Sequence, residues 1–182
     1  MNKTVIRFFT IADYEEEEIW LRKQHRSGWK LTGMTPPCIY RFESCEPEDV
    51  IYRLDFRNNE RPEDYMQMIS DFGWEYFADC LGWSYYRKPA SKAVTEQEGE
   101  IFSDDESRVE QLNKVIKTRL FPIITLFFCA VMPSFLRMLD DEYVGPWGNA
   151  FSIFFSVVFI LDLFLIVYCT VKIKKIRSRY KN

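Results

Sequence analysis

Catalysis, metal binding or redox chemistry in this chain would have to be built from very few groups. His25 is the only histidine. It stands in a helix-patterned stretch crowded with acids and bases, where a solvated helix residue is the plain reading and a triad or metal site lacks a second histidine. The five cysteines, Cys38, Cys45, Cys80, Cys129 and Cys169, are an odd number with no CxxC spacing and no Cys/His grouping of zinc-ligand type. Neither a disulfide framework nor a zinc site is expected. The 7 glycines form no phosphate-cradling loop, nucleophile elbow or dinucleotide fingerprint. Glu43 and Glu75 can be drawn as an acid/base pair, but charges alternating along strands ordinarily form a solvated face. The expectation is a non-enzymatic protein with no cofactor and no metal, whose chemistry is binding.

Binding groups are more plentiful. The 182 residues include 16 Phe, 10 Tyr and 5 Trp. Seven aromatics on strand-patterned stretches, Trp29, Tyr40, Tyr52, Trp74, Tyr76, Trp83 and Tyr85, are candidates to line a cleft for a small amphipathic ligand, with Glu43 or Glu75 balancing a cation. Packing into a small hydrophobic core is the simpler account of the same residues.

The elements that must position them follow from local pattern. A strand over Lys3 to Thr10 leads to Asp13, which with Glu16 three residues later suits a capping box. The helix that follows has Glu15 to Glu18 at its positive end and Arg22, Lys23 and Arg26 near its negative end, so this charge run needs no ligand, and Gly28 stops it. Trp29 to Met34 and Cys38 to Glu43 read as strands about a Pro36-Pro37 turn, with Cys38, Tyr40 and Phe42 on one face. Val50 to Arg57 alternates Val50, Tyr52, Leu54 and Phe56 against Arg53, Asp55 and Arg57, the pattern of a half-buried strand. Pro62 opens a second helix with an apolar face of Tyr65, Met68, Ile69 and Phe72, ended by Gly73. Trp74 to Cys80 and Trp83 to Lys88 then form a hairpin about Leu81-Gly82.

Strand-helix-strand-strand thus occurs twice. Arg7-Phe8, Gly28-Trp29 and Tyr40-Arg41-Phe42 are echoed about 45 residues later by Arg53-Leu54, Gly73-Trp74 and Tyr86-Arg87-Lys88. The expected fold class is α+β, a duplicated strand-helix-strand-strand cytosolic domain followed by a two-helix transmembrane hairpin. Its domain spans residues 1–88, with repeats at about 1–45 and 46–88, antiparallel sheet and both helices on one face.

Two later stretches call for a different solvent. Residues 120–136 carry no charge and residues 150–171 carry one. As helices they reach about 25 and 33 Å, against a hydrocarbon core of about 30 Å. The expected layout is an acidic flexible linker at 89–102, a juxtamembrane helix at 103–119 capped by Ser103 and Glu106, and a first span at 120–136 in which Pro133 marks a kink or early end. A short external loop at 137–149, a second span at 150–171 and a basic cytosolic tail at 172–182 complete it. Lys114, Lys117 and Arg119 precede the first span, and Lys172, Lys174, Lys175, Arg177, Arg179 and Lys181 follow the second. The loop between has Arg137 against Asp140, Asp141 and Glu142, so both termini are expected in the cytoplasm, with Trp147 as an interfacial anchor. Nothing after Met1 reads as a secretory signal. The tail is expected to lie against anionic lipid. Asp162, mid-span, costs about 2.5–3.5 kcal/mol if ionised. It is expected to be protonated, to bond Thr125, Cys129 or Ser134 of the first span, or to meet a partner's basic residue. Nucleic acid is not an expected partner, because residues 1–95 hold 13 basic against 16 acidic side chains.

The runs VIRFFTIADYEEEEIWL, HRSGWKL, CEPEDVIYRLDF, DYMQMISDFGWEY and GWSYYRKPA together resemble the uncharacterised bacterial family known as domain of unknown function 2812. The resemblance covers the first half of the chain and, more loosely, the linker and hairpin. It implies a membrane-attached protein of a bacterial cell membrane, encoded beside PadR-type regulators, in a regulatory or envelope-stress setting. It brings no activity, catalytic residue or ligand. In the order of its elements the front also resembles the small-molecule-binding domains of bacterial drug-responsive regulators. The expected function is a membrane-anchored cytosolic sensor that binds a small amphipathic ligand or a protein partner. The alternative is an accessory subunit of a membrane transporter or signalling complex, assembled through the hairpin with a membrane protein or a second copy.

Overall fold

In the computed structural model, which describes residues 1–57, 60, 62–93, 95, 97–101, 105–138 and 148–180, the chain divides into two units, Met1–Gln111 and Leu112–Asn182. The front unit runs β1 (Asn2–Ile6), α1 (Tyr14–Arg26), β2 (Trp29–Thr35), β3 (Ile39–Ser44), β4 (Val50–Phe56), α2 (Glu63–Asp71), β5 (Glu75–Cys80) and β6 (Trp83–Pro89). Two antiparallel sheets result, ordered β1-β3-β2 and β4-β6-β5.

Local chemistry explains most boundaries. β1 ends at Ile6, short of the expected Thr10, and Asp13 turns back so that its Oδ2 accepts from the Thr10 amide at 2.8 Å and the Thr10 hydroxyl at 2.6 Å. The same bonds take Asp13 out of the capping box, and α1 starts without a side-chain cap. Both helices close on a left-handed glycine, Gly28 at φ +82° and Gly73 at φ +81°, as the sequence predicts. Each second strand then carries an irregularity at the matching place, between Leu31 and Gly33 in β2 and between Tyr76 and Ala78 in β5. The expected hairpin turns at Leu81 and Gly82, and the Pro36-Pro37 turn contains a cis peptide.

The layering corrects two expectations. The strands form two three-stranded sheets, and the helices lie on opposite faces of the second one. Tyr52, Leu54 and Phe56 of β4 share a face with Arg87, Tyr85 and Trp83 of β6. That face meets α1, where Tyr14 stacks on Trp83 at 5.1 Å and His25 Nδ1 lies 2.8 Å from the Tyr52 hydroxyl. The other face, with Ile51, Asp55 and Tyr86, meets α2, where Ile69 and Trp74 join Ile51 and Tyr86 in one apolar cluster and the Tyr65 hydroxyl donates to Asp55 Oδ2 at 2.7 Å. β4 is therefore buried on both faces; its alternation of charge marks a polar core contact. Tyr65, Met66 and Ile69 form the inward face of α2, while Met68 and Phe72 turn outward.

In the rear unit and its approach, one helical run passes through α3 (Asp105–Val115), a π turn (Ile116–Leu120), α4 (Phe121–Leu126), a second π turn (Phe127–Val131) and α5 (Met132–Met138). Each π turn sits just before a proline, Pro122 or Pro133. The widened turn absorbs the missing amide donor, so the helix continues through Pro133 rather than ending there. α6 (Gly148–Arg179) returns antiparallel, with Phe159 stacked on Phe135 at 4.4 Å and beside Phe127 at 5.2 Å. Two helices, Glu106–Arg137 and Ile153–Arg179, are long and apolar enough to cross a membrane. Ser103, Asp140, Asp141, Glu142, Trp147 and Lys181 lie outside the described residues.

Candidate functional site

The helical repeat of α1 sets Tyr14, Glu17, Glu18, Leu21 and His25 along one stripe, three or four residues apart. That stripe faces the interior. Glu17, Glu18 and His25 are 6%, 9% and 5% exposed, so half of the acidic run and the lone histidine are core residues. This corrects the reading of His25 as a solvated residue. A signal was present in the sequence: the two acids fall in phase with Leu21.

Each buried acid has its own partners. Glu17 Oε1 accepts hydrogen bonds from the Tyr40 hydroxyl at 2.9 Å and the Tyr85 hydroxyl at 2.7 Å, one from each sheet. Burial still pushes its carboxyl above the ordinary range. Burial, with the Glu17 charge, also raises the Tyr40 and Tyr85 hydroxyls and pushes the Cys80 thiol up to about 11. Glu18 Oε1 accepts the Leu54 amide at 2.8 Å, while the Gln111 side-chain amide donates to the Leu54 carbonyl at 3.3 Å. These two contacts close the free edge of β4. Glu18 Oε2 takes Arg53 Nη1 at 3.2 Å, and burial pushes this carboxyl up to about 8. At the far end of α1, Arg22 and Arg26 both fork onto Asp49, every contact at 2.6–2.8 Å, and hold its carboxyl well below the usual range.

Where the C-terminal end of α1 meets both sheets there is an open cleft of about 260 Å³. Lys30, Glu46, Glu48, Glu75 and Arg87 give it charges of both signs, with His25, Cys45, Val50 and Pro89 completing the wall. Arg87 is gripped by the Glu75 carboxylate, with Nε at 2.9 Å from Oε2, and rests 5.0 Å from the Phe77 ring. Its hydrogen bonds, helped by its charge, hold Glu75 below the ordinary carboxylate range. Burial, aided by the Arg87 charge, lowers His25, so its ring is neutral at pH 7 and bonded through Nδ1 to Tyr52.

Of the nine residues singled out for a ligand cleft, Glu75 alone lines this one. Tyr40, Tyr52, Trp83 and Tyr85 are buried against α1, Trp74 is buried on the α2 side and Tyr76 packs at the edge of that cluster. Trp29 is half-buried under Lys3, 5.1 Å from its ring. Glu43 sits 3.9 Å from Lys30 across the β2–β3 pair. The aromatics are divided among core layers, and Glu43 and Glu75 each face a base. In the rear unit Asp162 is part-exposed, and among the described residues no hydrogen bond or ion pair reaches it. Lys172 folds toward Tyr168, Nζ to hydroxyl 3.5 Å, while Lys174, Lys175 and Arg179 are exposed and Arg177 half-exposed. No metal-capable group of His, Cys, Asp and Glu occurs among the described residues.

Residues 13–125 match a family model described as "Protein of unknown function (DUF2812)". The match takes in α1, α2, the five strands β2 to β6 and the helical run into α4, and leaves out β1. No curated protein and no solved structure matches the chain.

Proposed function

The chain belongs to the DUF2812 family, whose description assigns no activity, and we propose that it is a membrane-anchored recognition module, not an enzyme, that binds a small ligand carrying charges of both signs. The observation that carries this reading is the cleft of about 260 Å³, to which both halves of the front unit contribute and in which three acids face His25, Lys30 and Arg87. Its size lies just below ordinary ligand pockets, about 300–1,000 Å³, so it suits a metabolite-sized zwitterion or two side chains of a protein partner. A flat aromatic cation suits it less, because the aromatics are spent on the core. The matched helix-closing glycines, strand orders and irregularities support a duplication in which the cleft formed at the junction of two copies. We assign residues 120–136 and 150–171 as the spans, with both termini in the cytoplasm, on the distribution of Lys and Arg at their ends.

The test is a thermal-shift titration of the full chain in detergent with zwitterionic amino acids and short charged peptides, beside aromatic cations. A zwitterion or peptide that stabilises the wild type and fails on Lys30→Gln and Glu48→Gln supports the cleft. Stabilisation only by aromatic cations, indifferent to both variants, overturns it. A second reading, an accessory membrane subunit, is favoured by Asp162, whose cost of about 2.5–3.5 kcal/mol mid-span finds no offset among the described residues. On that reading Asp162→Asn releases a co-purifying membrane protein and leaves ligand-induced shifts of the front unit unchanged.

A further inference from the structure

Within the rear unit, Phe159, Asp162, Ile166, Cys169, Ile173 and Ile176 of α6 recur at alternating steps of three and four residues, the spacing of a helix seam. Phe159 fixes its register against Phe127 and Phe135. The antiparallel return then brings α6 against the π turn Ile116–Leu120, and at that end of the seam Ile173 and Ile176 are both 2% exposed. Two basic blocks far apart in sequence therefore come to one level. Lys117 stands exposed on the first helix, and Lys174 and Lys175 stand exposed on the second, with Arg177 beside them. The only acid among the described residues of this unit is Asp162, about 18 Å or more from these bases along α6. Immediately on the apolar side, Phe121, Ile123, Val167 and Val171 are 65%, 43%, 53% and 61% exposed.

We propose that this end of the hairpin is a binding site for an anionic phospholipid, its phosphate held between Lys117 on one helix and Lys174, Lys175 and Arg177 on the other, its acyl chains along Phe121, Ile123, Val167 and Val171. Charge complementarity selects a phosphate, and the apolar surface directly beside the bases selects one attached to hydrocarbon over a nucleic acid. A positive residue at the membrane surface is worth about 1 kcal/mol, or roughly fivefold in affinity. The inference rests on the membrane-spanning reading above, and goes beyond it in requiring bases from both helices.

The experiment uses the full chain in nanodiscs of phosphatidylcholine with increasing phosphatidylglycerol, and counts lipids retained on release by native mass spectrometry. The wild type is expected to retain phosphatidylglycerol in preference to phosphatidylcholine. Lys117→Gln is expected to reduce that preference roughly fivefold and the pair Lys174→Gln with Lys175→Gln about 25-fold, while Arg137→Gln, at the other end of the first helix, changes nothing. Lys117 and Lys174 are exposed, so these changes leave folding intact; far-ultraviolet circular dichroism checks it, and loss of preference in the wild type at high salt gives the same answer without a mutation. An intact preference in Lys117→Gln overturns the two-helix site and leaves a simple basic tail. Retention in the bilayer with no preference for either lipid overturns the proposal while sparing the membrane reading, whereas a chain extracted by alkaline carbonate from either bilayer overturns both. Displacement of the lipid by inorganic phosphate or duplex DNA at equal charge concentration overturns the choice of ligand.

Discussion

Glu18 is a carboxylate whose surroundings take it far from its ordinary chemistry. In the unfolded chain its carboxyl titrates near 4.5, and in the fold burial pushes it up to about 8. Between those values the folded state binds a proton that the unfolded state releases, so stability falls as pH rises through that window and levels off above it. Glu17, raised by the same cause, adds to the slope. Glu18→Gln keeps an oxygen for the Leu54 amide and leaves Arg53 paired with Glu100 at 2.7 Å. Denaturant melts of the full chain from pH 5 to 8 should therefore show a steep decline for the wild type, on the order of 1 kcal/mol per pH unit at most, and a flattened one for the variant. Equal slopes would mean that Glu18 stays ionised beside Arg53. At Asp49 the direction is opposite: two guanidinium forks depress the carboxyl, so its contribution is present at neutral pH and is lost as pH falls below its ordinary value of 3.8.

At the scale of elements, the two helix-to-strand corners make a matched pair with unequal surroundings. Gly28 and Gly73 both hold left-handed backbone, where a side chain costs about 1–2 kcal/mol. A Cβ on Gly28 would also come 3.1 Å from the Cys45 carbonyl, which is backbone, whereas one on Gly73 would meet only the flexible Lys88 Cε at 3.7 Å. Gly28→Ala is thus expected to destabilise the full chain by at least 1 kcal/mol more than Gly73→Ala in equilibrium melts. Comparable losses would show that Cys45 and its loop give way. The edge of β4 is the other element-scale device: Glu18 and Gln111 occupy the amide and carbonyl of Leu54 that would otherwise recruit another strand. Gln111→Leu should leave that carbonyl unpaired and raise the tendency of the chain to self-associate, read by light scattering at matched detergent concentration.

On the scale of the whole molecule, a polar front unit is joined to two helices apolar enough to cross a membrane, and the cysteines offer a direct check on the proposed topology. Cys38, Cys45 and Cys80 belong to the front unit and are part-exposed. With that unit in the cytoplasm, a membrane-impermeant maleimide should label them only after cells are opened. Labelling in intact cells would reverse the orientation. The polar front, the two apolar stretches, the basic ends and the family were all legible in the sequence, as were seven of the eight strands and helices of the front unit to within about two residues. These depend on nearest neighbours along the chain: glycines that close helices, alternation along strands, and runs too apolar to be covered by a small domain. The burial of Glu17, Glu18 and His25, the doubly covered β4, the separation of the aromatics into core layers and the charged cleft were not legible. Each depends on which face of one element meets another. A carboxylate on an amphipathic helix reads as solvated until a second sheet closes over it, and only the tertiary structure brings that sheet into place.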